Sequence, residues 1–115
     1  MTFTTTISGW GNYPQQESQL LTPPSSASLN AVVKLEGSII ARGMGRSYGD
    51  STNAPMVIQT SYYDHFLEFN EKTGKFTAES GVTLREILKI IVPRGWFLPV
   101  TPGTSYVTLG GAIAS

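Results

Sequence analysis

Residues 42–50 read Arg-Gly-Met-Gly-Arg-Ser-Tyr-Gly-Asp and follow directly on the apolar Ser38-Ile39-Ile40-Ala41. Gly43, Gly45 and Gly49 fall within seven positions, so the backbone can adopt positive φ there and expose successive N–H groups. A concave run of amides binds an anion, usually a phosphate. Arg42 and Arg46 flank the run and can add charge-assisted hydrogen bonds, although a strand-end arginine such as Arg42 also pairs readily with a carboxylate. A diphosphate is therefore the first candidate ligand. Ser47 can hydrogen-bond a phosphate, Met44 lies between two of the glycines, and Tyr48 can pack on the ligand or in the core. Asp50 suits a turn-fixing role through its side chain better than ligand contact.

The spacing narrows the kind of loop. A dinucleotide fingerprint needs G-x-G-x-x-G at the mouth of a helix, but the third glycine position is Tyr48. The following Gly49-Asp50-Ser51-Thr52-Asn53-Ala54-Pro55 is a run of turn formers. No Gly-Lys-Ser/Thr occurs, which excludes a Walker-type phosphate loop. What remains is a strand entering a wide glycine loop and a second buried strand at Met56-Val57-Ile58, with a plain turn between strands as the competing reading. A second glycine segment, Pro102-Gly103-Thr104-Ser105-Tyr106-Val107-Thr108-Leu109-Gly110-Gly111-Ala112, ends where a helix or a simple glycine turn starts; the first amides and dipole of a helix there would favour negative charge. His65, the one histidine, stands apart from both segments. No spacing of His, Cys or carboxylate around it suggests a metal site, so a turn or surface role is expected and no metal ligand is assigned.

Several elements must position these loops. Residues 1–24 read as a polar N-terminal arm, anchored by Trp10, Tyr13 and Leu20-Leu21 and closed by Pro23-Pro24. Ser26 or Ser28 can cap a short helix through Ala31, Val32 and Val33 that ends before Gly37. Strands are predicted at about 38–42 and 56–60, and a hairpin at Phe66–Phe69 and Lys75–Glu79 around a glycine-containing loop. The clearest helix follows. Thr83 and Glu86 form a capping box, Val82 and Ile87 a hydrophobic staple, and Leu84, Ile87, Leu88 and Ile91 a single buried face. Pro93 and Gly95 end it. Trp96-Phe97-Leu98-Pro99-Val100 reads as a short buried strand. The alternation points to an α/β (α+β) subdomain with a small mixed sheet and flanking helices.

Taken together, four segments resemble one family. Arg42–Asp50 is similar to the first flavin loop, and Pro102–Ala114 to the second, of FAD-binding oxidoreductases of the p-cresol methylhydroxylase/vanillyl-alcohol oxidase type. Glu79-Ser80-Gly81-Val82-Thr83-Leu84 is similar to that family's strand-to-helix turn. Ser8-Gly9-Trp10-Gly11 is similar to the opening segment of its decaprenylphosphoryl-ribose oxidase subgroup, with sugar-lactone and alditol oxidases more distant. The resemblance implies FAD as cofactor, contacted by Arg42, Gly43, Met44, Gly45, Arg46, Ser47, Tyr48 and Gly49 and by Pro102, Gly103, Thr104, Thr108, Gly110, Gly111 and Ala112. Thr108 can instead face the core, and Trp10 suits an anchor better than a cover for the cofactor. Covalent members carry a histidine in the loop where this chain has Arg46, so the resemblance implies noncovalent FAD.

The same resemblance implies that 25–115 is the first half of an FAD-binding domain, with the second half and a substrate domain to follow. An Asp-x-His-Gly-Lys-Asn-His-like run is expected beyond Ser115. The reaction implied is oxidation of an alcohol on a sugar-like substrate, with hydride passing to the flavin. The general base is expected in the missing part, so no catalytic residue is assigned and the 115-residue chain alone is expected to be inactive. A stand-alone nucleotide-binding or interaction module derived from this fold is the alternative.

Composition agrees with a soluble piece. Eight basic and eight acidic side chains cancel, which argues against nucleic acid or an anionic membrane as partner. Charged residues make up only 14%, against about 25% in typical domains, which fits a fragment that lies against another subdomain or, nearly as well, a polar, Thr-rich surface. There is no cysteine, hence no disulfide, thiolate metal site or cysteinyl flavin link. No stretch approaches the roughly 20 apolar residues of a membrane span, and the N-terminus lacks a secretory signal pattern, so a cytoplasmic location is expected.

Overall fold

The computed structural model describes residues 2–35 and 37–114. The chain forms two compact units, Met1–Tyr62 and Tyr63–Ser115, each with its own core.

The first unit is built on a four-stranded mixed sheet. Its elements are β1 (Thr2–Ser8), β2 (Gln15–Leu21), α1 (Ser26–Val33), β3 (Ile39–Arg42) and β4 (Met56–Gln59), and the sheet order is β1-β2-β4-β3. β1 and β2 are antiparallel, from Thr2 opposite Leu21 to Ser8 opposite Gln15. β4 runs parallel to both β2 and β3. The register sets Leu20, Val57 and Ile40 side by side across three strands, where they pack with Ile7 and Ala54. Val57 and Ile58 are adjacent yet both buried, so β4 is covered on both faces, as a central parallel strand should be.

The segment read as a polar arm is therefore two strands of this sheet. Leu20 and Leu21 do anchor it, but Trp10 (58% exposed) and Tyr13 (82% exposed) do not. The cap of α1 is Ser25, one residue earlier than expected, with reciprocal Ser25–Ser28 bonds between side chains and main chain.

In the second unit, β5 (Phe66–Phe69) and β6 (Phe76–Ala78) form the expected hairpin. The Asn70 side chain accepts from the N–H groups of Lys72 and Thr73, an Asx turn that pulls the chain round. Helix α2 (Leu84–Ile91) presents Leu84, Ile87 and Ile91 to a core shared with Val82, Phe69, Phe76 and Leu109. Its cap departs from a full capping box. The Thr83 hydroxyl accepts from Glu86 N–H, but the Glu86 carboxylate accepts from the Thr83 hydroxyl rather than from a backbone N–H. A 3-10 turn with Pro93 and a left-handed Gly95 end α2. Residues 96–100 form no strand. Trp96 and Leu98 pack on the core, while Phe97 (65%) and Val100 (84%) are exposed. Helix α3 (Leu109–Ala114) closes the unit.

Candidate functional site

The loop from Gly43 to Gly49 leaves the carboxyl end of β3, the side of a parallel sheet on which ligand crevices open. Its hydrogen bonding is one-sided. The Arg42 carbonyl accepts from the N–H and hydroxyl of Thr60, and the Gly43 carbonyl from the Gln59 side-chain amide. The Ser47 carbonyl accepts from Trp10 N–H and the Tyr48 carbonyl from the Ser51 hydroxyl. Among the described residues, the N–H groups of Gly43, Met44, Gly45, Ser47, Tyr48 and Gly49 donate to no protein acceptor. Gly45 and Gly49 take φ of 67° and 59°, and these two left-handed residues turn the chain. Open main-chain donors on a loop turned by left-handed residues are what an anion nest requires.

Side chains hold this shape from below. Among the described residues, Arg42 pairs with no carboxylate. Its Nη1 donates to the Ser8 carbonyl at 2.9 Å, and its guanidinium fills the space a side chain on Gly45 would need. Burial draws its pKa down from the ordinary value, though an arginine remains charged regardless. The connection between β1 and β2 supplies the rest. Trp10 N–H reaches Ser47 at 2.8 Å, and the Asn53 amide donates to Pro14 at 3.0 Å. A Cβ on Gly9 would stand 2.7 Å from the Gly49 carbonyl. The Arg46 guanidinium carbon lies 4.5 Å from the Trp10 ring centre, a cation–π contact. Tyr48 is 81% exposed and no part of the core. Asp50 helps to close its turn through its main-chain carbonyl, which accepts from Asn53 N–H.

The second glycine segment is built differently. Leu109 N–H donates to Val82, Gly110 N–H to Ser80 and Ala112 N–H to Thr108, all at main-chain carbonyls. Gly111 N–H donates to the Thr108 hydroxyl. Thr108 is 3% exposed, so its side chain faces the core and caps α3. Gly110 allows close approach to Ser80, whose carbonyl would be 3.2 Å from a Cβ at that position. Pro102, Gly103 and Thr104 are exposed and edge a depression of about 190 Å³ floored by Leu84 and Leu88.

One juxtaposition was missed by local spacing around His65. His65 Nδ1 lies 2.6 Å from Glu79 Oε2, which also accepts from His65 N–H. Asp64 completes a group of three potential ligands within 4.8 Å, contrary to the expectation that no such groups gather near His65. The hydrogen bond, then the negative charge, of Glu79 raises the His65 pKa. In return the His65 backbone N–H, followed by its side chain, lowers that of Glu79. The sequence signal was available in the hairpin, since the register of Phe66 with Ala78 brings the flanking residues 65 and 79 together.

Comparison with known proteins adds to this geometry. Residues 18–115 match the family described as FAD binding domain. The chain is 36% identical over 119 aligned positions to decaprenylphosphoryl-beta-D-ribose oxidase of Mycolicibacterium smegmatis (strain ATCC 700084 / mc(2)155), covering 97% of this chain and 26% of that protein. An uncharacterized protein in the mprA 5' region of Streptomyces coelicolor is 44% identical over 34 residues, 30% of this chain and 9% of its own. Cholesterol oxidase from Brevibacterium sterolicum superposes with a TM-score of 0.81 at 14% identity, over 99% of this chain and 24% of the other. Its His121Ala mutant gives 0.80 at the same identity and shares. The chain thus spans about a quarter of the length of the oxidases it matches.

Proposed function

Since the chain belongs to the FAD binding domain family, we propose that it is the N-terminal, cofactor-binding portion of a flavin-dependent oxidoreductase acting on an alcohol group of a carbohydrate or polyol derivative, with FAD held noncovalently. The ribose oxidase match supports the substrate class. The observation that carries the reading is the loop at 43–49, where the carbonyls of Gly43, Ser47 and Tyr48 are engaged within the protein while, among the described residues, the N–H groups of Gly43, Met44, Gly45, Ser47, Tyr48 and Gly49 are not. That donor set suits a diphosphate, and the left-handed Gly45, seated on Arg42, leaves the main chain uncovered there.

When bound, the flavin supplies the redox chemistry, accepting hydride from the alcohol carbon. The work of this chain is binding and orientation. Gly43, Met44, Gly45, Ser47, Tyr48 and Gly49 offer main-chain N–H groups to phosphate oxygens. Arg46 adds a positive charge, and Arg42 holds the loop to Ser8 from beneath. Pro102, Gly103 and Thr104 are proposed as further cofactor contacts. Gly110, Gly111 and Ala112 act through the shape of α3, their N–H groups being already engaged. Arg46 in place of a histidine and the absence of cysteine support a noncovalent cofactor.

The test uses the full-length protein. It should purify yellow and release its flavin into the supernatant on heat denaturation. Flavin retained on the precipitate would overturn noncovalent binding, and a protein that takes up no FAD would overturn the reading as a whole.

A further inference from the structure

We propose that Trp10 is a positioning residue for the diphosphate loop, its indole face holding the Arg46 guanidinium in place before the anion arrives. This rests on the reading of 42–50 as an FAD loop. Trp10 lies outside residues 18–115, the part matched to the family, yet three observations tie it to the loop.

Its main-chain N–H donates to Ser47 at 2.8 Å, which holds the backbone that carries the ring against the loop. Gly9, immediately before it, is packed so closely on Ser47 and Gly49 that any side chain there would collide with their carbonyls. Arg46 then stacks on the ring at 4.5 Å. Trp10 itself is largely exposed, so packing in the core does not explain its size.

The geometry suits anion capture. An arginine side chain on a loop loses much rotamer freedom when it binds, and a partner that restricts it beforehand reduces that loss. Tryptophan is the best aromatic partner for a cation. Stacking engages the face of the guanidinium, whereas hydrogen bonds to phosphate run from its edge, so the two contacts are compatible. Trp10 would thus act on the cofactor through Arg46 without touching the reacting atoms.

The test is FAD affinity of the full-length apoprotein, read by flavin fluorescence quenching, with the thermal midpoint of each apoprotein as a control for folding. W10L should weaken binding about two- to fivefold, the scale of an exposed cation–π contact, whereas W10F, which keeps a ring face, should lose less than W10L. R46K keeps the charge but not the planar face and should bind more weakly than wild type. Adding W10L to R46L should cause no further loss. Wild-type affinity in both W10L and R46K, or an equal loss from W10L with and without R46L, would overturn the positioning role while leaving FAD binding intact. A wild-type protein that binds no FAD would overturn the functional reading and this inference with it.

Discussion

The guanidinium of Arg42 occupies the volume that a side chain on Gly45 would take. One residue is thus the floor on which the other turns, and Gly45 takes φ of 67° there. Replacement G45A meets both the left-handed backbone and the Arg42 side chain. We expect a loss of about 1–3 kcal/mol in stability, measured by denaturant unfolding of the full-length protein, together with weaker FAD binding. G43A, at a position without positive φ, should be milder.

Thr108 is the second point of control. Its buried hydroxyl caps α3 through Gly111 N–H at 3.1 Å. T108V removes the acceptor and should cost about 1 kcal/mol, while T108S should restore most of it. Equal thermal midpoints for T108V and wild type would contradict the capping role.

The His65–Glu79 pair makes stability depend on pH. The His65 pKa is raised, so its contribution is complete below the unfolded value of about 6.5 and fades as pH rises through the folded one. The Glu79 pKa is lowered, so its contribution is complete above about 4.3 and fades as pH falls through the folded value. The pair is therefore strongest between those limits. Titration of the imidazole by NMR should show a raised midpoint, and E79Q should return it toward the ordinary value.

Gly74, at φ 76°, lies under the ring of Trp96, 2.5 Å from a would-be Cβ, and the indole N–H donates to Glu71 at 2.9 Å. G74A should displace the ring and destabilise the second unit by about 1–3 kcal/mol. A red-shifted or broadened tryptophan emission, compared with wild type, is the accompanying signal.

What the sequence made legible was local. Thr83, Val82 and the spacing of Leu84, Ile87, Leu88 and Ile91 define α2 within a dozen residues, and the hairpin around Asn70–Gly74 is equally self-contained. β1 and β2 escaped because Thr-, Gln- and Ser-rich strands lack a strong apolar alternation, and pairing across the sheet is set by distant residues such as Val57. The apolar run at Trp96–Val100 looked like a strand but has no neighbour to pair with. The glycine loop could be located from its spacing, but the direction of its hydrogen bonds could not. That depends on Trp10, Gln59 and Thr60, which come from elsewhere in the chain.

The open amides of Gly43, Met44, Gly45, Ser47, Tyr48 and Gly49 belong to the main chain, so what has to be inherited at this site is a curve. Met44, Ser47 and Tyr48 present N–H groups that any non-proline residue could offer. Divergence can therefore run freely through those side chains while the signs of two dihedral angles, at Gly45 and Gly49, stay fixed. Two such loops could differ at most of their letters and still trace the same path, a form of kinship that letter-by-letter identity would understate.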